Sequence, residues 1–115
     1  MQAHMELEKF FLIVLWRPAD HPDLSPDEIA VLQAGHLGHY DDLRRQGLVA
    51  LNGPIREGSD ESLRGLAFFR TRTAAEALEL ALADPMARAQ WLRPEVMEFW
   101  TQRGATTAPG LPITI

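Results

Sequence analysis

The chain of 115 residues is 46% hydrophobic and 23% charged, which is typical of one folded globular domain. It contains no cysteine, and this excludes disulfides, thiolate metal sites and a cysteine nucleophile. A net charge of -5 argues against a protein that binds nucleic acid mainly through its phosphates. The first residues lack a signal-peptide pattern and no apolar run is long enough to span a bilayer, so we expect a cytoplasmic protein without membrane contact.

The first half of the chain predicts a strand, a long helix and a second strand. Glu8 to Arg17 predicts the first strand, because its residues from Phe10 to Trp16 are all apolar. Ser25-Pro26-Asp27-Glu28 combines a capping residue, a proline suited to the first helical turn and a glutamate that can complete a capping box. A helix is therefore predicted from Pro26 to about Gln46. Leu48 to Ile55 predicts the second strand, which ends at Gly53-Pro54.

The second half predicts a strand, a helix and a strand. Arg64 to Thr71 is the third predicted strand, and Thr73-Ala74-Ala75-Glu76 is a second capping box that opens a helix reaching Ala83. Pro85 disfavours helical geometry at Asp84, so we expect the helix to end there and a short turn to follow. Glu95 to Gln102 predicts the fourth strand.

The resulting order, β-α-β-β-α-β, predicts an α+β fold of the ferredoxin-like type, with a four-stranded antiparallel sheet and both helices on one face. The first and third strands should be central, and the second should lie at an edge, where the missing donor of Pro54 is tolerated. We expect one domain over residues 1–103. Residues 104–115 are then a C-terminal tail or a dimer-docking arm.

The two-sided strands predict a homodimer. Phe10, Leu12, Val14 and Trp16 point to one face of the first strand, whereas Phe11, Ile13 and Leu15 point to the other. Since both helices cover only one face, the second apolar set would contact water in a monomer. A second copy packed face to face would bury it in a barrel-like sandwich, the dimeric α/β barrel.

A histidine and an aspartate are the candidate site. His36 lies within an apolar stripe of the first helix that comprises Ile29, Leu32, His36, Tyr40 and Leu43. Asp84 lies at the C-terminal end of the second helix, where the helix dipole disfavours a carboxylate and a nearby imidazolium would relieve the conflict. Antiparallel helices, however, would place Asp84 near the start of the first helix, roughly 15 Å along the axis from His36. A contact between them requires that the turn after Asp84 brings the carboxylate inward, or that the first helix starts later. The residues alone leave a hydrogen-bonded core histidine as the alternative.

The ordered set His36-Leu37, Gly53-Pro54 and Asp84-Pro85 resembles the YCII-related (YciI-like) family over about residues 9 to 100. The resemblance implies a dimeric α/β-barrel fold. It also implies that His36 and Asp84 are an acid/base pair in a pocket that Gly53 and Pro54 help to shape. Tyr40, one turn beyond His36, is a further candidate ligand contact. The sequence has Met86 where the family commonly has an aromatic residue, which predicts a pocket of different size.

Other interpretations are weaker. His36 and His39 are three residues apart but have no accompanying ligand motif, so we predict no metal site. The run Arg64 to Phe69 only partly matches an RNA-binding strand signature, and we predict no nucleic-acid partner. Arg17, Arg70 and Arg93 follow or begin strands, where one of them could hold an anionic ligand, although solvated surface charge is the favoured role. Trp91 is expected to be a core or interface anchor.

The sequence therefore predicts a small homodimeric protein of the YCII-related type that binds a small molecule. If it is an enzyme, we expect proton transfer without a cofactor, in an isomerisation, elimination or hydrolysis. His36 would be the acid or base, and Asp84 would orient it. The alternative is a non-catalytic domain that binds a metabolite or a protein.

Overall fold

The computed structural model describes residues 5–106 and 109–114 of the chain. Their elements, in chain order, are β1 (Leu7–Trp16), α1 (Pro26–Arg45), β2 (Val49–Pro54), β3 (Leu63–Phe69), α2 (Ala74–Leu82), α3 (Pro85–Arg88) and β4 (Arg93–Gln102). The six predicted elements are present, and α3 is an addition to them. Of the helices in the described part of the chain, none has the length and apolar character that crossing a membrane requires.

The four strands form one antiparallel sheet in the order β2-β3-β1-β4. The α+β, ferredoxin-like fold is therefore confirmed, with β1 and β3 in the centre and β2 at an edge, as predicted. Pro54 pairs with Gly65 at the end of that edge strand. The other edge is β4, which begins at Arg93 rather than at the predicted Glu95 because an edge strand also tolerates Pro94.

The helix starts follow the capping residues. The Ser25 hydroxyl accepts a hydrogen bond from the Glu28 amide, and the Glu28 carboxylate accepts one from the Ser25 amide, both at 3.1 Å. This reciprocal pair is the predicted capping box. At α2, Thr73 caps through its hydroxyl, which accepts from the Glu76 amide at 3.1 Å, so the described contacts contain only the first half of the second box.

The core lies between the sheet and the helices. On the face of β1 that points to the helices, Phe11, Ile13 and Leu15 are at most 5% exposed. The cluster also includes buried residues from the other strands and helices, namely Tyr40, Leu43, Val49, Ala67, Phe69, Ala77 and Ala81. The helix-side set of the two-sided β1 pattern is therefore the core, which leaves the other set on the face without helices.

The sheet face opposite the helices is apolar but is only partly in contact with water. Phe10 is 5% exposed because Phe68 packs edge-on against it, with 5.9 Å between the ring centroids. Phe99 packs against Phe68 in turn, with 5.3 Å between their ring centroids. Leu51 and Met97 remain 59% and 43% exposed, and Phe99 remains 39% exposed. The expectation that all apolar residues of this face contact water is thus wrong at the centre of the face, where Phe68 covers Phe10.

The turn expected after Pro85 is a short helix instead. Asp84 caps α3, and Pro85 occupies its first turn. An aspartate followed by proline is a helix-start signal of the same kind as Ser25-Pro26, because both supply a capping oxygen and a preset backbone angle. The chain thus leaves α2 at Ala83 and begins α3 immediately, which turns Asp84 toward α1.

Candidate acid-base site

A pocket of about 610 Å³ lies between α1 and the part of the sheet formed by β2, β3 and the end of β1. Leu15 and Ala67 contribute to its sheet side, whereas Ile29, His36 and Tyr40 line it from α1. Its size is in the range of sites that enclose small organic molecules. His36 and Tyr40 thus border a space, although the Tyr40 ring also packs against Phe69 of β3.

The side chains of His36 and Asp84 are in direct contact at the back of this pocket. His36 Nδ1 lies 2.6 Å from Asp84 Oδ2, the aspartate side chain is 0% exposed, and the histidine side chain is 16% exposed. His36 lines the pocket and Asp84 does not. The imidazole therefore stands between a buried carboxylate and the pocket, so only the histidine can reach a bound molecule.

The two carboxylate oxygens of Asp84 have different hydrogen-bond partners, one of which the sequence did not predict. Its Oδ1 accepts a hydrogen bond from the Met86 amide at 3.0 Å, as the cap of α3, while Oδ2 faces His36. The sequence predicted an unfavourable interaction between this carboxylate and the C-terminal dipole of α2. That prediction is wrong, because the carboxylate caps the N-terminus of α3, the next helix. Of the two ways to bring Asp84 to His36, the structure has the inward turn after Asp84, because α1 begins at Pro26 as predicted and α3 lies across α1 at Gly35 and Pro85.

Tyr40 lines the same pocket and carries a buried hydroxyl group. The residue is 1% exposed, its ring centroid lies 5.1 Å from that of His36, and its hydroxyl has no hydrogen-bond partner among the described residues. Burial, and after it the negative charge of Asp84, raise the pKa of Tyr40 above its usual range. The hydroxyl therefore stays protonated and keeps its hydrogen available as a donor.

Gly53 and Pro54 border the pocket at the end of β2. Across the strand pair lies Gly65, at which an added Cβ would come within 3.0 Å of the Gly53 carbonyl oxygen. The two strands approach so closely that the position opposite Pro54 is suited to glycine. These residues contribute backbone and shape to the wall, and Gly65 is a lining residue that the sequence analysis did not identify.

His39 contacts a different partner from His36. Its Nε2 lies 2.8 Å from the Leu80 carbonyl oxygen and therefore links α1 to α2, while its ring packs edge-on against Tyr40 at 5.2 Å. The two histidines thus have separate partners: His39 contacts a backbone carbonyl and His36 contacts a carboxylate.

One of the three strand-end arginines borders the pocket. The Arg17 Nε donates to the Trp91 carbonyl oxygen at 2.7 Å, and the guanidinium lies over the Trp91 ring at 3.8 Å from its centroid. Arg70 and Arg93 are exposed and lie outside the pocket lining. Trp91 is half-buried and packs against the core, as expected, and it also stacks with the Arg17 guanidinium.

Three further arginines line the pocket without any sequence signal having singled them out. Arg44 comes from the last turn of α1, Arg56 follows β2, and Arg64 belongs to β3. Arg56 and Arg64 flank the turn between β2 and β3, and the packing of α1 against this strand pair adds Arg44. No periodicity or local motif could have grouped them.

No family model matches the chain, and no curated protein matches it. Among solved structures, it is similar to 5-chloro-2-hydroxyhydroquinone dehydrochlorinase (TftG) from Burkholderia phenoliruptrix AC1100, in complex with 2,5-dihydroxybenzoquinone. The TM-score is 0.54 at 17% sequence identity, and the match covers 78% of this chain and 90% of that chain. At this identity the likeness shows a shared fold. The chain is thus a ferredoxin-like α+β protein with a His–Asp pair beside a pocket.

Proposed function

We propose that the protein is a YCII-related enzyme that transfers a proton to or from a small organic molecule without a cofactor, using His36 as the acid or base. The observation that carries the proposal is the position of the His36 ring between the buried Asp84 carboxylate and the pocket. A histidine that is oriented by a carboxylate and open to a ligand space is the usual arrangement of a general acid-base catalyst.

The geometry supports a defined path for the proton. With Nδ1–H donating to Asp84, the neutral ring carries its lone pair on Nε2, the nitrogen that remains for the pocket. Nε2 takes a proton from the bound molecule, and the carboxylate stabilises the imidazolium that forms. The same proton is then returned to another atom of the molecule or to a leaving group. Isomerisation and elimination begin with this transfer, whereas in hydrolysis Nε2 takes the proton from the water molecule that attacks the bound molecule.

Asp84 has a positioning role in this proposal. It does not border the pocket, and its second oxygen is occupied by the Met86 amide. Because both oxygens have fixed partners, the carboxylate holds the imidazole in one orientation without contacting the bound molecule.

In this proposal Tyr40 donates a hydrogen bond to the substrate, which must reach a hydroxyl that is buried in the structure. A buried hydroxyl without a partner costs about 1–3 kcal/mol, and an oxygen or nitrogen of a bound molecule would remove that cost. Its position beside His36 means that the group it binds lies close to the atom that exchanges a proton. Gly53 and Pro54 shape the opposite wall.

Two similarities favour elimination as the first reaction to test. The ordered residues around His36, Gly53 and Asp84 resemble the YCII-related family, and membership in it is part of the proposal. The solved structure of the same fold is named as a dehydrochlorinase and holds a hydroxylated ring compound. Loss of chloride from a chlorinated hydroxylated ring is a reaction that His36 could start by removing a proton.

We also propose that the protein is a homodimer, with the face of the sheet opposite the helices as its interface. Leu51, Met97 and Phe99 are exposed on that face around the covered Phe10 and Phe68. An apolar surface of this kind is buried in most soluble proteins, and a two-fold pair of sheets is the simplest way to bury it.

The enzymatic proposal is tested by comparing two histidine variants of α1. We expect the parent protein to release chloride from chlorinated hydroquinones, and His36→Gln to lower kcat about a hundredfold or more, since general acid-base catalysis contributes that much. His39→Gln is the matched control, because it removes an imidazole from the same helix but leaves the Asp84 contact intact. Turnover that survives in His36→Gln at the parent rate would contradict the proposal.

A non-catalytic, ligand-binding protein is the second candidate, favoured by the unpartnered hydroxyl of Tyr40. Such a protein would bind the same small molecules without converting them to products. In that case ligands would raise the thermal midpoint of the parent and of His36→Gln alike, and no product would form.

A further inference from the structure

The charge of the pocket differs in sign from the charge of the whole chain. The chain has 16 acidic and 11 basic residues, yet the pocket lining contains four arginines and, among the described residues, no aspartate or glutamate. The arginines are Arg17, Arg44, Arg56 and Arg64. A cleft lined by one sign of charge concentrates ligands of the opposite sign.

Most of this positive charge is not neutralised by the protein. Arg44 is paired, since it lies 3.1 Å from an Asp41 carboxylate oxygen and also donates to the Asn52 side chain. Over residues 5–106 and 109–114, Arg17, Arg56 and Arg64 have no carboxylate within 4.0 Å.

The acidic residues of the nearby loop face a different space. Glu57, Asp60 and Glu61 line a second depression of about 360 Å³, which Arg56 and Arg64 also border. Arg17 borders the main pocket and not this second depression. The charge of Arg17 is therefore the one most clearly directed to the main pocket.

Arg17 is held ready for a ligand. Its Nε donates to the Trp91 carbonyl and its plane lies over the Trp91 ring, so the side chain is fixed while its terminal nitrogens remain for another partner. Arg64 is anchored by a bond of 3.2 Å from Nη1 to the Glu61 carbonyl oxygen. Arg17 and Arg64 border the same pocket, and partial burial, followed by the positive charge of Arg64, lowers the pKa of Arg17. An anion beside both would remove that repulsion.

We propose that the pocket binds a small organic anion, whose carboxylate or phosphate group is held by Arg17 and Arg64 and whose remaining part extends toward His36 and Tyr40. Guanidinium groups bind both anions through paired hydrogen bonds, and the space of about 610 Å³ accommodates a ring compound. The inference deepens the proposed function by giving its substrate class, and it rests on that proposal for the identification of the pocket as the substrate site.

The test measures binding and does not need turnover. Benzoate, benzamide and phenyl phosphate are titrated into the full chain by calorimetry or NMR, since the first two have nearly the same shape and differ in charge. We expect benzoate or phenyl phosphate to bind and benzamide to bind at least about tenfold more weakly, the loss of one charged hydrogen-bonded contact. The tighter of the two anions identifies the group as a carboxylate or a phosphate.

Three variants locate the site. Arg17→Gln and Arg64→Gln should each raise the Kd of the bound anion about tenfold. Arg70→Gln removes the same charge at an exposed position outside the pocket and should leave the Kd unchanged. If Arg17→Gln loses its fold with the Trp91 contact, Arg64→Gln and the fully charged Arg17→Lys carry the comparison.

Equal binding of benzamide and benzoate would overturn the inference, as would an equal loss of affinity in Arg70→Gln and Arg17→Gln, or the absence of anion binding at millimolar concentration. Anion binding without any turnover would leave the inference standing and would remove the enzymatic proposal instead. The two failures can therefore be told apart.

Discussion

Gly35 in α1 and Pro85 in α3 lie in contact, one residue before His36 and one residue after Asp84. A Cβ atom added at Gly35 would lie 2.9 Å from Cγ of Pro85, closer than carbon atoms approach in folded proteins. The glycine therefore permits the close crossing of the two helices, and the crossing brings the imidazole and the carboxylate together.

Replacement of Gly35 should separate the pair. In Gly35→Ala the added methyl group meets a proline ring that cannot rotate away, and overpacking of this kind costs about 1–3 kcal/mol. Gly38→Ala is the control, since nothing lies within 4 Å of a Cβ there and alanine favours a helix. We expect a lower free energy of unfolding for Gly35→Ala than for Gly38→Ala in urea titrations, together with weaker activity. Equal stability of the two variants would contradict the close-contact interpretation.

Asp84 has two roles that two substitutions separate. Asp84→Ala leaves the Met86 amide and the His36 ring without their partner, so the free energy of unfolding should fall by about 2–4 kcal/mol. Asp84→Asn retains an oxygen that can cap α3, so it should lose less stability but should still lower kcat, because the negative charge is gone. Asp42→Ala, exposed on α1, should change stability by less than about 0.5 kcal/mol. The opposite order of the two Asp84 variants in urea unfolding would refute the capping role.

Removal of the Tyr40 hydroxyl should weaken ligand binding or conversion without lowering the free energy of unfolding. Since this group has no partner among the described residues, Tyr40→Phe loses no hydrogen bond and should leave the free energy of unfolding unchanged or raise it by about 1 kcal/mol. The same variant should bind or convert ligands more weakly than the parent. Thermal unfolding and ligand titration are the measurements, and a clear loss of stability in Tyr40→Phe would indicate a partner for the hydroxyl.

Tyr40 also predicts how stability depends on alkaline pH. The unfolded chain ionises its tyrosine near pH 10, whereas burial and Asp84 hold the native pKa higher, so the native state keeps the proton longer. This contribution to stability is complete below pH 10 and is lost as pH rises above it. Since the chain contains one tyrosine, its tyrosinate absorbance reports this residue alone. Tyrosinate that forms at pH 10 in the folded protein would contradict the assignment, and Tyr40→Phe should lack this loss.

The proposed interface makes a prediction about mass. Phe99 is 39% exposed on the sheet face opposite the helices, so Phe99→Glu should place a charge in the interface and shift the mass from two chains to one in light scattering. Val31→Glu, at a 73% exposed position of α1, is the matched control and should keep the mass of the parent. A parent with the mass of one chain at micromolar concentration would exclude the dimer.

Local patterns predicted the fold well because its elements are specified by nearby residues. The apolar run of β1 and the capping residues Ser25 and Thr73 act within a few positions of the chain, and the structure has strands and helices where they predict them. The exception is α3. Asp84-Pro85 was interpreted as the stop of α2, although it is also a helix-start signal, and a helix of four residues is too short to have a periodic pattern.

The site was predictable only in part. His36 and Tyr40 share a helical stripe, so their common location beside the pocket follows from spacing. The contact between His36 and Asp84 depends on the crossing of α1 and α3 at Gly35. The four arginines that line the pocket come from several elements. These are tertiary relationships, and a glycine or an arginine has no local signal that distinguishes such a position.

The partner of His36 belongs to a connecting segment, whereas the histidine itself belongs to a long helix. A deletion or insertion between Ala83 and Arg93 would displace the carboxylate and leave the hydrogen-bonded ladders of the four strands in place. The scaffold can therefore gain or lose the charged half of the pair by a change in loop length alone. Proteins that share this architecture can differ in chemistry through the length of that one link.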